Sequence, residues 1–378
     1  MKIVMTATNP VTNDPRIIKE AKALNEAGHN ITIVAWDRDC KNPSETTKEG
    51  IEIIRIPVKA SYGSMKDFIK NLPLFYKKAY KILKKLDFDA IHTHDFDTAF
   101  LGYVIKKQGK KNTNKTNPIK WVYDIHDLYE SFIEKNNPNL AKLISKMDVI
   151  LMKNADDLIV VNEKFINLID ERINDKKVLG KIKIVRNTIN PPKITLKSPA
   201  DKPDFMVFYG GVLSKTRYIM EMINICEELD IKMTIAGMGV LENEIIAHSK
   251  ESKNIRFLGK LPHDKLLDEM NNYSLNFAIY DPVIRNNQLA TPNKLFESMC
   301  MGIPIIVTKG SVMGDIVEKN NCGLTVDFDE KSVKEAILKL KSDKEFFNTL
   351  SKNAVDAYPN YVWDKQVEEL KKIYNTKF

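Results

Sequence analysis

The sequence predicts an α/β protein built from two doubly wound domains. Short apolar segments alternate with segments of helical periodicity along nearly the whole chain, which is typical of parallel sheets covered by helices. A proline-rich interval near the middle divides this alternation into two halves of similar size. A length of 378 residues also suits two domains, each with a core of its own.

The first half opens as a strand, a loop, a helix and a second strand. KIVMTA is apolar, NDPRIIKEAKALNEAG has helical periodicity, and HNITIVAW alternates as a strand does. Asp14 is the predicted N-cap, Pro15 suits the first helical position, and Gly28 suits the end of the helix. Further strands are predicted at IEIIRIPV, DAIHTHD, KWVYDIHD, DDLIVV and IKIVRN, which together give an open, mostly parallel sheet.

A linker and a second sheet follow. Residues 187–203 contain four prolines and no apolar periodicity, so we place the domains at 1–188 and 189–378. The alternation restarts at DFMVFYGG and continues through KMTIAGMG, IRFLGKL, LNFAIYD and CGLTVDF to a final helix at YVWDKQVEELKKIYNTK. We expect the carboxyl ends of the two sheets to face each other across a cleft that holds the ligand.

Composition favours a cytoplasmic protein. The four cysteines form no CxxC pair and no cluster with histidine, so we predict neither a zinc site nor a disulfide framework. No apolar run approaches the roughly 18 residues of a membrane-spanning helix, and the opening MKIVMTATNP lacks a secretory h-region.

The net charge of +8 is open to three interpretations: nucleic acid, anionic lipid, or a lysine-rich composition without a partner. Residues 70–86 form a basic amphipathic helix, for which we favour a core-facing helix with a solvated lysine side over a membrane-surface role. We predict no nucleic-acid partner, and peripheral contact with the inner face of a membrane stays open.

Two phosphate-binding motifs are absent. The first strand leads into TATNPVTNDPR, which has no glycine and therefore cannot form the GxGxxG turn of NAD or FAD proteins. The GxxxxGK[ST] loop is absent as well. In the second half, however, a strand ends in Gly210 and Gly211, followed by Lys215 and Arg217. Free backbone amides at a glycine turn with two cations form a candidate phosphate site, although this signal alone is weak.

The stretch ATPNKLFESMCMGIPIIVT adds a second candidate. Here Thr291 is the predicted cap, Pro292 and Asn293 open the helix, and Lys294 lies in the first turn, where the helix dipole disfavours a cation. A diphosphate bound to this helix and to the glycine turn would relieve that mismatch, with Glu297 accepting the hydroxyls of a ribose. The alternative is an exposed i, i+3 ion pair between Lys294 and Glu297, worth a few tenths of a kcal/mol, which spacing alone favours.

These motifs resemble those of a known family. TPNKLFESMCMGIPIIVT is similar to the C-terminal donor motif of the GT-B glycosyltransferases of family GT4, with its P-x-K-x-F-E and G-x-P elements. The resemblance extends to NDPRIIKEAKALNEAGHNITIV, IHTHDFDTA, YDIHDLYE, FYGGVLSKTR, TIAGMG and IRFLGKLP, in that order, over nearly the whole chain. It implies the GT-B fold, two Rossmann-like domains facing each other across a cleft, with the final helix crossing back to the N-terminal domain.

The resemblance also implies a function. The protein would be a retaining glycosyltransferase that takes a sugar from a nucleoside-diphosphate sugar, with a UDP-sugar as the expected donor, without a metal or other cofactor. Its acceptor would be a glycan, a lipid-linked molecule or a small molecule. The cations would stabilise the charge that develops on the leaving diphosphate where water is excluded.

Particular residues receive roles by the same resemblance. The nucleotide-sugar side would contain Gly210, Gly211, Arg217 and Lys294 at the diphosphate, Asn293 beside them, Glu297 at the ribose, and Lys260 and Leu261 at the base. His126 would lie near the transferred sugar and orient a hydroxyl or the developing charge, while Asp14, Arg16 and His94 would lie on the acceptor side. His92 and His94 alternate with other residues at a strand end, so we expect one inward-facing core histidine and expect His94 to face the cleft.

One position departs from the family pattern. Many members carry a second glutamate eight residues before the one that matches Glu297, and this chain has Leu289 there. Asn287 and Gln288 could partly substitute. Two alternatives remain: a UDP-sugar 2-epimerase of the same fold, and a catalytically inactive nucleotide-sugar-binding protein.

Overall fold

The computed structural model describes residues 1–12, 14–62, 64–108, 118–192, 194–197 and 204–375. The chain divides into two compact units, one formed by Met1–Arg186 with Gln366–Phe378 and the other by Asn187–Lys365. The division falls two residues before the boundary that we placed after residue 188. The end of the chain groups with the first unit, although it follows the second in sequence.

The sheet of the first unit has eight strands among the described residues. They are β1 (Lys2–Ala7), β2 (Asn30–Asp37), β3 (Glu45–Thr46), β4 (Glu52–Pro57), β5 (Ala90–His94), β6 (Lys120–Ile125), β7 (Asp157–Val160) and β8 (Ile182–Ile184). Their order is β3-β4-β2-β1-β5-β6-β7-β8. Every neighbouring pair is parallel except β3 and β4. The carboxyl ends of β1, β5 and β6 therefore meet at one edge of the sheet.

Helices connect these strands. They are α1 (Pro15–Glu26), α2 (Met65–Leu83), α3 (Phe96–Gln108), α4 (Pro138–Asn154), α5 (Glu163–Ile173) and α6 (Lys176–Leu179). The last helix, α15 (Trp363–Asn375), starts in the second unit and belongs to the first from Gln366 onward. Helix α2 starts before the predicted residue 70, because Ser64 caps it by accepting from the amide of Asp67. Its inner face is formed by Phe75, Ala79 and Leu83, so it faces the core as predicted.

The second unit has a parallel sheet in the order β11-β10-β9-β12-β13-β14. These strands are β9 (Val207–Leu213), β10 (Met233–Gly239), β11 (Ile255–Phe257), β12 (Leu275–Ala278), β13 (Ile305–Thr308) and β14 (Gly323–Val326). Its helices are α7 (Ile219–Glu228), α8 (Glu242–Glu251), α9 (His263–Met270), α10 (Arg285–Leu289), α11 (Asn293–Cys300), α12 (Val312–Asn320), α13 (Glu330–Ser342) and α14 (Lys344–Ala357). Apolar residues of α11, among them Phe296 and Met299, join the core cluster that contains Ile305 and Val307 of β13.

The predicted linker is partly anchored. The carbonyl of Ile189 accepts hydrogen bonds from Trp363 and from the hydroxyl of Tyr358, both in the second unit. Residue 193 and residues 198–203 of that segment lie outside the described residues. All four cysteines are free. Within the described ranges, no helix is both long and apolar enough to cross a membrane.

Candidate active site

Helix α11 begins one residue later than predicted. Pro292 occupies the N-cap position in an extended conformation, no side chain caps the helix, and Asn293 is the first helical residue. The predicted cap by Thr291 is therefore wrong, because an extended proline now separates Thr291 from the first turn. Lys294 is the second helical residue, within the turn whose backbone amides have no intrahelical acceptors. The side-chain oxygen of Asn293 is buried and has no hydrogen-bond partner among the described residues.

The ammonium group of Lys294 is buried without an acceptor. The residue is 6% exposed, and its Nζ atom makes no hydrogen bond to any described residue. Nζ lies 3.5 Å from the ring centroid of Tyr209, a cation–π contact. Burial and the charge of Arg217 lower the pKa of Lys294 to about 7, against the attraction of Glu297. A buried amine in this setting lacks the counter-ion that an anionic ligand would supply.

Glycines keep the space next to Lys294 open. Gly211 has a φ of +148°, and a Cβ atom there would lie 3.3 Å from Nζ of Lys294. A Cβ atom on Gly237 would lie 1.8 Å from the carbonyl oxygen of Gly211, so β9 and β10 approach closely at this point. A Cβ atom on Gly210 would lie 2.9 Å from Leu266 of α9. A side chain at Gly210 would therefore displace the end of Leu266, and one at Gly211 would crowd the ammonium group of Lys294.

Arg217 is the second cation of this region. Its guanidinium carbon lies 3.5 Å from the ring centroid of Tyr280, and Nη1 donates to the side-chain oxygen of Asn287 at 3.4 Å. Asn287 also donates to the carbonyl of Asp281, which fixes the orientation of its amide. Gln288 is exposed and donates to a different carbonyl, so Asn287 is the polar residue that contacts Arg217.

Glu297 is paired with a histidine that the sequence did not reveal. Its Oε1 atom lies 2.8 Å from Nε2 of His263, and Glu297 is 5% exposed. The alternative ion pair between Lys294 and Glu297 is therefore not formed. His263 opens α9, directly after the turn that contains the exposed Lys260 and the half-buried Leu261. A histidine 34 residues from Glu297 gives no signal in the local pattern.

In the first unit, Asp124 is the centre of a buried polar network at the end of β6. Nη2 of Arg16 lies 2.9 Å from Oδ1 of Asp124, and Nε2 of His126 lies 2.6 Å from Oδ2. Nδ1 of His94 lies 3.2 Å from the same Oδ2. Burial opposes ionisation of this carboxyl, but Arg16 and His126 outweigh burial and hold its pKa well below the usual range.

His126 is held in its protonated form. Burial and Arg16 lower its pKa, but Asp124 and Asp95 outweigh them and raise it to about 9. Nδ1 lies 3.4 Å from Oδ2 of Asp95, so a carboxyl group faces each ring nitrogen. Nε of Arg16 lies 2.7 Å from Nε2 of His126. The protonated Nε2 cannot donate to Arg16, because arginine has no acceptor nitrogen. It therefore donates to Asp124.

The predicted acceptor-side residues have structural partners. Asp14 caps α1 as predicted, since its carboxylate accepts from the backbone amides of Arg16 and Ile17. Arg16 is 4% exposed, and besides Asp124 it donates to the carbonyl oxygen of Val185 at 3.1 Å. Its Nε atom also lies 3.1 Å from Oε1 of Glu20. Both side chains are thus engaged by neighbours within the first unit.

His92 and His94 lie on the same side of β5. Their rings stack with centroids 4.4 Å apart, and both residues are buried. The expectation of a single core histidine is therefore wrong, because side chains two positions apart on a strand share a face. Nδ1 of His92 lies 2.7 Å from the hydroxyl of Tyr374 in α15. The last helix thereby completes the network.

Four side chains of this network could ligate a metal ion. Donor atoms of Glu20, His92, His94 and Asp124 lie within 4.8 Å of one another. Burial and the charge of Asp124 raise the pKa of Glu20, and both of its oxygens lack a hydrogen-bond partner in the described structure. The guanidinium of Arg16, however, already contacts both carboxyl groups. A metal ion here would have to displace Arg16.

Several members of the network were missed at the level of sequence. Asp95 and Asp124 stand in HTHDFD and YDIHD, two motifs that end neighbouring parallel strands. Since the carboxyl ends of such strands meet at one edge, the pairing of these acids with His126 was open to inference. Glu20 follows Arg16 by one helical turn, which is a weaker signal. No pattern indicated Tyr374, because the contact spans 282 residues of sequence.

Comparisons with known proteins agree with this architecture. The model of Glycosyltransferase Family 4 matches residues 16–192, and that of Glycosyl transferases group 1 matches residues 192–356. An uncharacterized glycosyltransferase from Methanocaldococcus jannaschii is 23% identical over 305 residues, which is 79% of this chain and 78% of that protein.

Two solved structures have the same fold. Sucrose-phosphate synthase from Thermosynechococcus elongatus has a TM-score of 0.79 at 17% identity, with 99% of this chain and 98% of that chain covered. HepE of Anabaena, in complex with UDP-glucose, has a TM-score of 0.72 at 14% identity, with 99% of each chain covered. These likenesses show that the fold is GT-B. The two consecutive family matches, which together span residues 16–356, show that the chain belongs to the glycosyltransferases of family GT4.

Proposed function

We propose that this glycosyltransferase takes a sugar from a nucleoside-diphosphate sugar, with retention of configuration at the anomeric carbon. The observation that carries the proposal is the buried ammonium group of Lys294 at the start of α11, which lies next to Gly211 and has no acceptor within the described part of the chain. A diphosphate would supply the missing counter-ion and would accept from the first-turn amides. The acceptor that we propose is a glycan, a lipid-linked molecule or a small molecule.

The leaving diphosphate is the group that needs stabilisation. Breaking the bond between sugar and phosphate places negative charge on the diphosphate, and fixed cations lower the barrier most when they are already in position. Lys294 and Arg217 provide two such cations, held against the rings of Tyr209 and Tyr280. We therefore propose that transfer requires no metal ion at the diphosphate.

His126 is proposed to act through its charge. A pKa of about 9 leaves the ring protonated at neutral pH, so it cannot accept a proton there as a general base. Its side chain is 17% exposed, more than that of any partner in contact with its ring except Asp95. The imidazolium would orient a sugar hydroxyl or stabilise negative charge that develops during transfer.

We propose uracil as the base and Glu297 as the group that accepts hydrogen bonds from the ribose hydroxyls. The complex of HepE with UDP-glucose supports the choice of base for a protein of this fold. Glu297 is buried and lies one turn after Lys294 on the same helix. This spacing would let a diphosphate contact Lys294 while the adjoining ribose contacts Glu297. His263 would then lie at the edge of the nucleoside.

The experiment is a screen of UDP-, ADP- and GDP-sugars by thermal shift, followed by measurement of free nucleotide release. A ligand that binds only the folded chain raises Tm, so we expect one donor class to do so. Lys294→Met should abolish this shift, whereas Lys250→Met, an exposed lysine of the same unit, should not. Turnover should persist in EDTA. NMR of the product should show the same anomeric configuration as in the donor sugar.

Other outcomes separate the alternatives. Conversion of a UDP-sugar without acceptor and without nucleotide release would indicate an epimerase. Binding of a donor without any turnover would indicate an inactive protein. An equal shift for Lys294→Met and for the unaltered chain would remove the basis of the proposal.

A further inference from the structure

Three neighbouring helices of the first unit form one layer. Helices α2, α3 and α4 connect β4 to β5, β5 to β6 and β6 to β7, and each crossover advances in the same direction across the sheet. Because parallel crossovers are right-handed, the three helices lie on one side of the sheet. Helix α3 contacts both α2 and α4. We refer to α2, α3 and α4 as the three-helix layer.

The layer exposes an unusual share of large apolar side chains. Of the 17 exposed large hydrophobic residues in the described chain, seven lie on these helices. They are Met65, Ile69 and Leu74 on α2, Phe100 on α3, and Leu143, Met147 and Ile150 on α4. The three on α4 follow the spacing i, i+4, i+7 and so form one continuous stripe. Leu143 and Ile150 are 54% and 52% exposed.

The same layer carries an excess of positive charge. Its helices contain ten lysines and three aspartates, a net charge of +7, whereas the whole chain has +8. Two of the three aspartates, Asp97 and Asp148, are buried. Only Asp67 offsets the lysines at the surface, where it accepts from the backbone amide of Ser61 at 2.7 Å. The outward face therefore presents lysines and apolar side chains.

A basic cavity lies at the carboxyl end of α4. It has a volume of about 440 Å³ and is lined by Tyr103, Asp156 and the four lysines Lys106, Lys107, Lys153 and Lys181. Lys106 and Lys181 donate to main-chain carbonyls at the end of α4. Lys107 lies over the ring of Tyr103 at 5.6 Å from its centroid. Lys153 stands three residues after Ile150, so the cavity adjoins the apolar stripe.

We propose that the outward face of the three-helix layer binds the surface of an anionic lipid bilayer. The apolar stripe of α4 would reach the boundary between headgroups and acyl chains, as interfacial helices with lysine borders do. The lysines would attract anionic lipids, each contributing while it is within a Debye length of the surface. The cavity at the end of α4 is large enough for a headgroup phosphate.

Charge decides between a bilayer and a second copy of the chain. Two copies that met through this face would bring together two surfaces of net charge +7, which opposes association. An anionic bilayer provides an apolar interior for the stripe on α4 and negative charge for the lysines. The proposal does not depend on the identity of the donor or on turnover.

The test is co-sedimentation of the full chain with vesicles of phosphatidylcholine alone or of phosphatidylcholine with 30% phosphatidylglycerol. We expect binding to the anionic vesicles and a decline as salt rises. Leu143→Ser/Ile150→Ser and Lys142→Glu/Lys146→Glu/Lys153→Glu should each reduce the partition coefficient by about tenfold or more. Circular dichroism and Tm should match the unaltered chain, because all five side chains are exposed.

Matched variants in the second unit are the controls. Leu338→Ser/Val355→Ser alters two side chains that are each 46% exposed. Lys331→Glu/Lys344→Glu/Lys352→Glu alters net charge by the same amount as the α4 triple variant. These controls should keep most of the binding.

Four results would overturn the proposal. The first is an absence of binding to anionic vesicles at low salt, and the second is an equal loss for the control variants. The third is equal binding to neutral vesicles, which would remove the role of the lysines. The fourth is an oligomer that Leu143→Ser/Ile150→Ser dissociates in sedimentation velocity, which would assign the face to self-association. Since no sugar donor is present, none of these results bears on the proposed transferase activity.

Discussion

Burial and the neighbouring cation Arg217 both lower the pKa of Lys294. With a pKa of about 7, the amine is mostly neutral at pH 8 in the free protein. An unfolded lysine titrates near 10.4, so the unfolded chain binds more protons between these values. The cost in stability of burying Lys294 should therefore decrease as pH rises from about 7 to about 10.4.

Binding of a donor should reverse this effect at Lys294. A diphosphate favours the ammonium form, so we expect binding of a UDP-sugar at pH 8 to take up close to one proton. Calorimetry in two buffers with different ionisation enthalpies measures this uptake, which should fall toward zero at pH 6. Lys294→Arg is the control, because a guanidinium binds phosphate without titrating. Uptake that persists in Lys294→Arg would assign the proton to another group.

Asp124 fixes both the charge of His126 and the position of Arg16. Asp124→Asn should lower the pKa of His126 below about 9, as histidine NMR would measure. It should also cost about 3 kcal/mol of unfolding free energy in urea, because Arg16 loses a buried counter-ion. Asp95→Asn, which leaves that ion pair intact, should cost less. Equal costs for the two variants would contradict this assignment.

The pH dependence of stability gives a second measure of the same pair. The pKa of His126 is raised from 6.5 in the unfolded chain to about 9. Its contribution to stability is therefore complete below about pH 6.5 and is lost as pH rises through about 9. Lys294 acts in the opposite sense above pH 7, but Asp124 is not among the groups that shift its pKa. The difference between Asp124→Asn and the unaltered chain therefore reports the network around His126.

At the scale of elements, the approach of β9 and β10 positions the donor region. Gly237→Ala would place a Cβ atom 1.8 Å from the carbonyl oxygen of Gly211, and φ at this glycine is +151°. We expect a loss of about 3 kcal/mol or more in unfolding free energy, because two strand backbones must separate. Donor affinity should fall as well, since Gly211 adjoins Lys294.

Gly259→Ala is the matched control for this pair of strands. Gly259 also has a positive φ, +65°, but a Cβ atom there would meet nothing within 4 Å. Only the backbone strain of about 1–2 kcal/mol should remain. If both variants lost the same stability, close approach of the strands would not explain the glycine at 237.

For the whole molecule, alternation of apolar segments was enough to predict both sheets, because each strand and helix has its own local pattern. Contacts between distant segments were not predictable in this way. The spacing of Lys294 and Glu297 indicated an ion pair, but Glu297 instead contacts His263 from another helix. The position of the α11 start depended on a single residue, Pro292, which local preferences do not fix to that precision.

The end of the chain belongs to the first unit, and that arrangement predicts a separation of effects. Leu370, Ile373 and Tyr374 of α15 are buried, and Nζ of Lys120 donates to the carbonyl of Ile373. A chain that ends at Lys365 should lose hydrogen-exchange protection in β5 and β6, because these contacts are absent.

Donor affinity of the same shortened chain should change by no more than about twofold, because Lys294, Arg217 and Glu297 belong to the other unit.

Tyr374→Phe is the milder variant, and it should cost about 1–2 kcal/mol of unfolding free energy by leaving Nδ1 of His92 without its partner. Tyr62→Phe, at a tyrosine that is 51% exposed, should cost much less. Exchange measured by mass spectrometry distinguishes β5 and β6 from β9. Loss of donor affinity with unchanged protection in β5 and β6 would show that α15 serves the donor region rather than the first unit.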